Sequence, residues 1–190
     1  MNQTTLVVIK SMGIGDLCIL IANIHAISKS IGRPVVVLAQ KNTHACSILK
    51  YDPHIEKVID LDKKGFFNVV KKIKPYKIHQ AYIFSDSIRL YLISKFSKNI
   101  EQIFHYKFFS KKGKNFFKTA KEFTEKTLNT KIDPQSKIYC NNKDVEEAKN
   151  KFGINNNTKN IVCGISASGP TKRWSIKNYI QLFEALNKKY

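Results

Sequence analysis

Arginine is scarce in this basic chain. Of its 33 basic residues, only Arg33, Arg89 and Arg173 are arginines, and the rest are lysines. Because arginine is the side chain suited to bidentate phosphate and base recognition, its scarcity argues against a nucleic-acid-binding protein. The net charge of +19 still has two interpretations. It indicates an anionic partner, such as a bilayer or a phosphorylated substrate, or it reflects the Lys, Ile and Asn bias of AT-rich codons.

Paired cysteines and long apolar runs are also lacking. The four cysteines form no Cys-x-x-Cys pair, and three of them sit in apolar runs, so we expect buried, reduced thiols as in a cytoplasmic protein. No stretch approaches the roughly 18 apolar residues of a membrane helix, and no signal-peptide pattern opens the chain. We therefore expect neither secretion nor a membrane span. The cysteines are Cys18, Cys46, Cys140 and Cys163.

Several catalytic patterns are missing as well. The sequence contains no Gly-x-Ser-x-Gly and no Walker loop, and its five histidines lack metal-ligand spacing. Asp60-Leu-Asp62 resembles the metal-binding Asp-x-Asp of some glycosyltransferases. Its place at a strand end, followed by Lys63-Lys64, favours a solvated strand end instead. We expect no metal and no cofactor.

Unbroken apolar runs alternate with helical patterns through the first hundred residues. Unbroken runs predict strands that are buried on both faces, and intervening helices predict parallel crossovers. The expected fold class is α/β, a Rossmann-like parallel sheet with helices on both faces. We predict strands at 5–9, 35–38, 57–61, 80–84 and 101–104. We predict helices at 16–30, 42–49, 66–73 and 87–96.

The alternation breaks after residue 105. The basic, aromatic stretch Tyr106–Lys118 predicts a nucleic-acid or lipid contact, or equally a solvated loop with core-facing phenylalanines. Residues 137–140 predict an edge strand or a linker. Further helices are expected at 116–128 and 143–152, the latter with an inner face of Val145, Ala148 and Phe152 and a C-cap at Gly153.

A polar link at 155–159 marks the predicted domain boundary. The first domain is expected to span residues 1–154, and residues 155–190 are expected to be a linker and the first strand and helix of a second domain. The buried strand of that second domain is predicted at 160–165 and its helix at 175–190.

The turn Ser11–Asp16 is the first candidate site. Gly13 and Gly15 permit close backbone approach by a ligand, and Asp16 follows at the helix start. One interpretation is an ordinary helix-start carboxylate favoured by the dipole. The other is a general base exposed at the carboxyl end of a parallel strand. Cys18 stands where a dinucleotide fingerprint has its third glycine, so that fingerprint is incomplete.

The segment Ser166–Trp174 is the second candidate site. It follows an apolar run and precedes a helix, where free backbone N–H groups and the dipole favour a phosphate. Hydroxyls can donate to phosphate oxygens, and the cations can neutralise them. An ordinary hydrophilic loop with Trp174 packed under the helix is the alternative. The polar residues concerned are Ser166, Ser168, Thr171, Lys172 and Arg173.

Together these two segments resemble glycosyltransferase family 9, the ADP-heptose:lipopolysaccharide heptosyltransferases. Val7-Val-Ile-Lys-Ser-Met-Gly-Ile-Gly-Asp16 is similar to the opening of that family, and Val162–Trp174 is similar to the start of its second domain. Tyr51–Ile59 and Tyr76–Arg89 resemble segments between them. The resemblance covers nearly the whole chain in order.

The resemblance implies a GT-B fold, of which this chain would be the N-terminal, acceptor-binding half with a truncated second domain. It implies inverting, metal-independent transfer of a heptose or related sugar from a nucleotide-sugar donor to a lipopolysaccharide core or lipid-linked acceptor. Asp16 would be the base, and Lys10 would meet an acceptor phosphate or the leaving group, beside Gly13 and Gly15. Ser166, Ser168, Thr171 and Lys172 would hold the donor pyrophosphate.

Further expectations follow from the resemblance. The chain would be a fragment that is inactive alone, located in the cytoplasm with peripheral contact to the anionic inner membrane, and with no nucleic-acid partner. The alternative is a basic module with a Rossmann-like core that binds nucleic acid or an anionic membrane.

Overall fold

The structure is a computed structural model that describes residues 4–10, 13–61, 66–97, 100–106, 115–155, 157, 159–165 and 169–189. Contacts divide the chain into two compact units, Met1–Cys140 and Asn141–Tyr190. This division falls earlier than the boundary expected after residue 154, and the extents of the two domains stay a prediction.

A five-stranded parallel sheet forms the centre of the first unit, in the order β3-β2-β1-β4-β5. Each strand is rich in β-branched and aromatic side chains, which suit a sheet that is covered on both faces. The expected Rossmann-like fold class is confirmed. The strands are β1 Thr4–Ile9, β2 Val35–Gln40, β3 Ile55–Leu61, β4 Ile78–Phe84 and β5 Gln102–His105.

Helices follow the strands as expected. The first unit contains α1 Ile14–Ile31, α2 Ala45–Ile48, α3 Phe66–Ile73, α4 Ile88–Phe96 and α5 Phe116–Leu128. The second contains α6 Asn142–Phe152 and α7 Ile176–Lys189. The helix predicted at 42–49 is instead a 3₁₀ turn followed by the single turn α2, because His44 between them adopts a left-handed backbone with φ 54°. The predicted C-cap at Gly153 is confirmed, with φ 61°.

Two apolar layers hold helices on opposite faces of the sheet. Alternate residues of β1 point to opposite sides, so Val7 and Ile9 contact the layer of α1, α2 and α5, while Leu6 and Val8 contact the layer of α3 and α4. After β3 the helices lie on the opposite face of the sheet. The chain there reverses its direction along the sheet and runs back past β1 to β4, and a right-handed crossover in the reversed direction passes over the other face.

Helix α1 corrects the expectation that no stretch could span a membrane. By length and composition alone, its 18 residues are apolar enough to cross a bilayer. Half of them are buried against the sheet, among them Leu17, Leu20, Ile21 and Ile24. In this fold α1 is accordingly a core helix that is apolar on most of its circumference.

The cysteines also differ from expectation. All four are free thiols, but none is fully buried. Cys46 and Cys140 are exposed, whereas Cys18 and Cys163 are half-buried. The prediction of buried thiols was wrong because the apolar runs around Cys140 and Cys163 form neither helix nor strand, so they enter no core.

The second unit departs most from the sequence prediction. Residues 160–165 do not form a strand, and Val162 is 94% exposed. A strand needs a hydrogen-bonded neighbour, and no strand occurs among the described residues of this unit. The predicted inner face of α6 is also wrong, since Val145 and Phe152 are exposed. Residues 137–140 likewise form no strand, in agreement with the linker alternative.

A buried polar cluster fixes the amino end of β3 to α1. The Asp52 carboxylate is 2.7 Å from His25 Nε2 and accepts a hydrogen bond from the backbone N–H of His54. His54 Nδ1 lies 3.1 Å from the Ser28 hydroxyl, and the two imidazole rings are 4.6 Å apart. Burial lowers the pKa of His54, and nearby positive charge on His25 and Lys29 lowers it further, against the opposing pull of Asp52.

This cluster predicts acid sensitivity. Because the pKa of folded His54 is depressed, the unfolded chain takes up a proton that the folded chain resists as pH falls through the ordinary histidine pKa of about 6.5. The free energy of unfolding should be unaffected by His54 above that pH and decrease below it. Urea denaturation between pH 8 and pH 5.5 measures the decrease, which should be smaller for His54→Gln than for the wild type. Parallel pH profiles for the two proteins would contradict this role.

Candidate functional site

The carboxyl edge of the sheet between β1 and β4 is a topological switch point. From β1 the chain moves through α1 to β2 on one side, and after β3 it crosses to β4 on the other side of β1. Ile9 and Phe84 are register partners, so Lys10 and Ser85 both follow at this edge. In open parallel sheets, ligands bind in the crevice that opens at such a point.

The turn after β1 approaches this edge. Lys10 is exposed, Asp16 is half-buried in the first turn of α1, and residues 11–12 lie outside the described residues. Gly13 precedes the helix with extended backbone, and its carbonyl accepts a 3.3 Å hydrogen bond from the N–H of Leu17. The sequence prediction therefore places Asp16 correctly at the start of a helix that faces the switch point.

The two glycines of this turn leave open space. A Cβ added at Gly13 or Gly15 would meet no atom within 4 Å, and neither glycine has a positive φ. Neither internal packing nor backbone strain requires glycine at these positions. Bare backbone at the carboxyl edge of the sheet instead allows close approach by a ligand, which is the use inferred from the sequence.

A second carboxylate beside the switch point was missed in the sequence. Asp86 lies in the Ser85-Asp86-Ser87 loop that joins β4 to α4, and Ser85 is buried, with its Oγ accepting a 3.2 Å hydrogen bond from the N–H of Ser87. A polar triplet directly after an apolar strand is a visible signal. Its position could not be inferred because the pairing of β4 with β1 is not evident from local sequence.

The predicted phosphate corner is described in part. Ser166 and Ser168 lie outside the described residues, whereas Thr171 and Lys172 are exposed on a single 3₁₀ turn ahead of α7. The Ser175 hydroxyl accepts a 3.2 Å hydrogen bond from the N–H of Asn178 and so caps the start of α7. Trp174 is half exposed and contacts the edge of Tyr179, with ring centroids 5.0 Å apart.

An open groove of about 560 Å³ flanks this corner, and its lining is mostly aliphatic and aromatic, together with Arg173. The corner thus presents a helix start with Lys172 and Thr171 exposed, which is suited to a phosphate. The joining of Asp16 with Thr171 and Lys172 in one site stays a prediction.

The possible metal-binding pair Asp60-Leu-Asp62 is described only in part. Asp60 is half-buried and accepts a 3.4 Å contact from the Cys46 thiol, and Asp62 lies outside the described residues. Loss of water around the sulfur and the nearby Asp60 carboxylate raise the pKa of that thiol. Within the described part of the chain, no group of three or more His, Cys, Asp or Glu residues could hold a metal ion.

The basic, aromatic stretch after β5 is also only partly described. Tyr106 is buried, and its ring contacts Phe84 and Phe123 at centroid distances of 5.8 Å and 4.9 Å. Phe116 packs partly against the same core, whereas Phe117 is exposed. Residues 107–114 lie outside the described residues, so the nucleic-acid and lipid alternatives for them stay untested.

Comparison with solved structures shows which known proteins share this fold. The chain superposes on a family 9 glycosyl transferase from Veillonella parvula DSM 2008 with a TM-score of 0.73, at 15% identity over 97% of this chain and 60% of that one. It also superposes on the ADP-heptose LPS heptosyltransferase II of E. coli, with a TM-score of 0.71 at 13% identity over 98% of this chain and 62% of that one. This chain shares the fold of these glycosyltransferases.

At this level of identity the likeness shows the fold alone. As far as the fold is concerned, it confirms the resemblance inferred from the sequence. The chain spans about three fifths of the length of the two solved structures. No protein-family model matches the chain, and no curated protein sequence matches it either.

The open space at the β1 turn predicts that the fold does not require glycine at residue 15 for its stability. Gly15→Ala should leave the free energy of unfolding unchanged or raise it by about 0.5–1 kcal/mol, since Gly15 lies inside α1 and its replacement meets no neighbour. Urea denaturation measures this. Gly32→Ala is the matched control at the C-cap of α1, where φ is 67°, and it should destabilise the fold. A Gly15→Ala variant that is as unstable as Gly32→Ala would contradict the account.

Proposed function

We propose that this chain is the acceptor-binding part of a glycosyltransferase, joined to the first corner of its donor-binding part. The proposal rests chiefly on one observation: a fold shared with two glycosyltransferase structures over almost the whole chain, with Asp16 at the switch point of its sheet. The half-buried carboxylate, the open backbone at Gly13 and Gly15 and the exposed Lys10 support an acceptor hydroxyl docked at this edge.

The proposed reaction is a single displacement that inverts the anomeric centre without a metal. The acceptor hydroxyl oxygen bonds to the anomeric carbon of the donor sugar while the bond from that carbon to the nucleoside diphosphate oxygen breaks. Asp16 accepts the hydroxyl proton, so no positive charge builds up on the attacking oxygen as the new bond forms. The departing diphosphate takes the electron pair of the broken bond.

The phosphate corner would stabilise this leaving group. Thr171 can donate a hydrogen bond, Lys172 supplies a positive charge, and the start of α7 offers its backbone N–H groups and dipole. Ser166 and Ser168 are proposed for the same role from the sequence. Charge that develops on the diphosphate in the transition state is where such donors contribute most to rate.

The finer identity of the substrates is also part of the proposal. By likeness to the two structures, the donor would be a nucleotide-activated heptose or related sugar, and the acceptor a lipopolysaccharide core or another lipid-linked sugar. Transfer is proposed for the enzyme in which a complete donor domain accompanies this chain, because the matched structures extend well beyond the part that it spans.

Replacement of Asp16 tests the proposed base. In the enzyme that contains this chain and a complete donor domain, Asp16→Asn should lower kcat by about 10²–10⁴-fold, the usual contribution of a general base, while donor affinity stays unchanged. Sugar transfer to a lipopolysaccharide-core acceptor is the assay. Asp133→Asn, an exposed carboxylate on the linker after α5, is the matched control and should retain full activity. A wild-type rate in Asp16→Asn together with a loss in Asp86→Asn would move the base to Asp86.

Replacement of Lys172 tests the donor corner separately. Loss of one charged contact to a diphosphate should weaken binding of the nucleotide sugar by about 10–100-fold. Isothermal titration with the donor measures the affinity of Lys172→Ala, again in the presence of a complete donor domain. Lys188→Ala removes an exposed lysine from the last turn of α7 instead and should bind the donor as the wild type does. Equal affinities for the wild type and Lys172→Ala would exclude this lysine from the donor site.

A further inference from the structure

Helix α4 is apolar on both of its faces. Leu90 and Ile93 are buried against the sheet, as expected for a crossover helix. On the opposite side, Ile88 is 52% exposed and Leu92 is 37% exposed. Ile88 and Leu92 are four residues apart and so lie on the same stripe of the helix. A helix that is apolar on its outer face normally has that face covered.

Exposed cations lie beside this outer stripe on α4, and others lie on the neighbouring helix α3. Arg89 and Lys95 are exposed on α4, and Lys71 and Lys74 are exposed on and just after α3. Helices α3 and α4 pack beside each other on the same face of the sheet. We refer to the surface made by Lys71, Lys74, Ile88, Arg89, Leu92 and Lys95 as the α3–α4 face.

Among the residues that the structure describes, the positive charge of this face is not balanced by nearby carboxylates. Residues 66–97 include six lysines and arginines but one acidic residue, whereas residues 115–155 include eight lysines and six acidic residues. On α5 and α6, cations pair with carboxylates along the helix, as in Lys118–Glu122 and Lys143–Glu147. Among the described residues, no carboxylate lies within 4.0 Å of any cation of the α3–α4 face.

We propose that the α3–α4 face docks on an anionic lipid surface. Aliphatic side chains flanked by cations are the pattern of a protein surface that rests in the headgroup region, with the apolar groups inserted and the cations near lipid phosphates. A nucleic-acid site would gain little from exposed Ile88 and Leu92, since it draws on phosphate contacts and base stacking. The inference concerns a surface that the proposed transfer chemistry does not use.

Vesicle co-sedimentation of the whole chain tests the proposal. The chain should bind vesicles of phosphatidylcholine with about one third phosphatidylglycerol and bind pure phosphatidylcholine vesicles much more weakly. Arg89→Gln/Lys95→Gln should reduce partitioning about 25-fold, because each cation near an anionic surface contributes about fivefold. Ile88→Ser/Leu92→Ser should reduce it about tenfold or more, since the inserted apolar area is lost.

Matched substitutions on α6 provide the control. Val145 and Phe152 are exposed apolar residues, and Lys143 and Lys151 are exposed cations, on a helix whose charges are largely balanced. The corresponding Val145→Ser/Phe152→Ser and Lys143→Gln/Lys151→Gln variants should bind vesicles as the wild type does. All changed positions are exposed, and circular dichroism confirms that each variant is folded.

Three results would overturn the proposal. The first is equal vesicle binding by wild type, α3–α4 variants and α6 variants. The second is binding to heparin or duplex DNA that is as strong as vesicle binding and is unchanged in the Ile88→Ser/Leu92→Ser variant. That result would indicate a general attraction of the +19 charge to polyanions. The third is a dimer in solution that Ile88→Ser/Leu92→Ser converts to a monomer, since a second copy would then cover the face.

Discussion

The pairing of β4 with β1 is the constraint on which the rest of the structure depends. Once the chain crosses from β3 to the far side of β1, right-handed connections must place α3 and α4 on the face opposite α1. That reversal buries both faces of β1 and opens the carboxyl edge between Lys10 and Ser85. The core and the candidate site therefore have the same physical origin.

Sequence periodicity was sufficient for most of the first unit because its elements are locally consistent. The helices at 66–73 and 116–128 begin and end where the patterns predict. The strand order could not be inferred in the same way, since it depends on contacts between residues far apart in the chain. For that reason Asp16 was predicted as a site residue and Asp86 was not.

The second unit shows where local patterns fail. The apolar run at 160–165 has a strand-like composition, yet its side chains are exposed and it pairs with no described strand. Strand propensity expresses the packing of a side chain in a sheet more than a preference of the isolated backbone. The distribution of charge could not be predicted from local patterns either. The net charge of +19 follows from composition, but only the structure distinguishes helices α5 and α6, whose charges are balanced, from the α3–α4 face, whose charges are not.

The central claim is that the switch point between β1 and β4 binds a sugar acceptor. Amide ¹H–¹⁵N spectra of the 190-residue chain, recorded while a lipopolysaccharide-core oligosaccharide is added, test it most directly. The account predicts saturable shifts centred on the Gly13–Asp16 turn and the Ser85–Ser87 loop, with little change around His25 and Asp52 at the amino edge. Saturable shifts confined to other surfaces, with those two segments unperturbed, would contradict it.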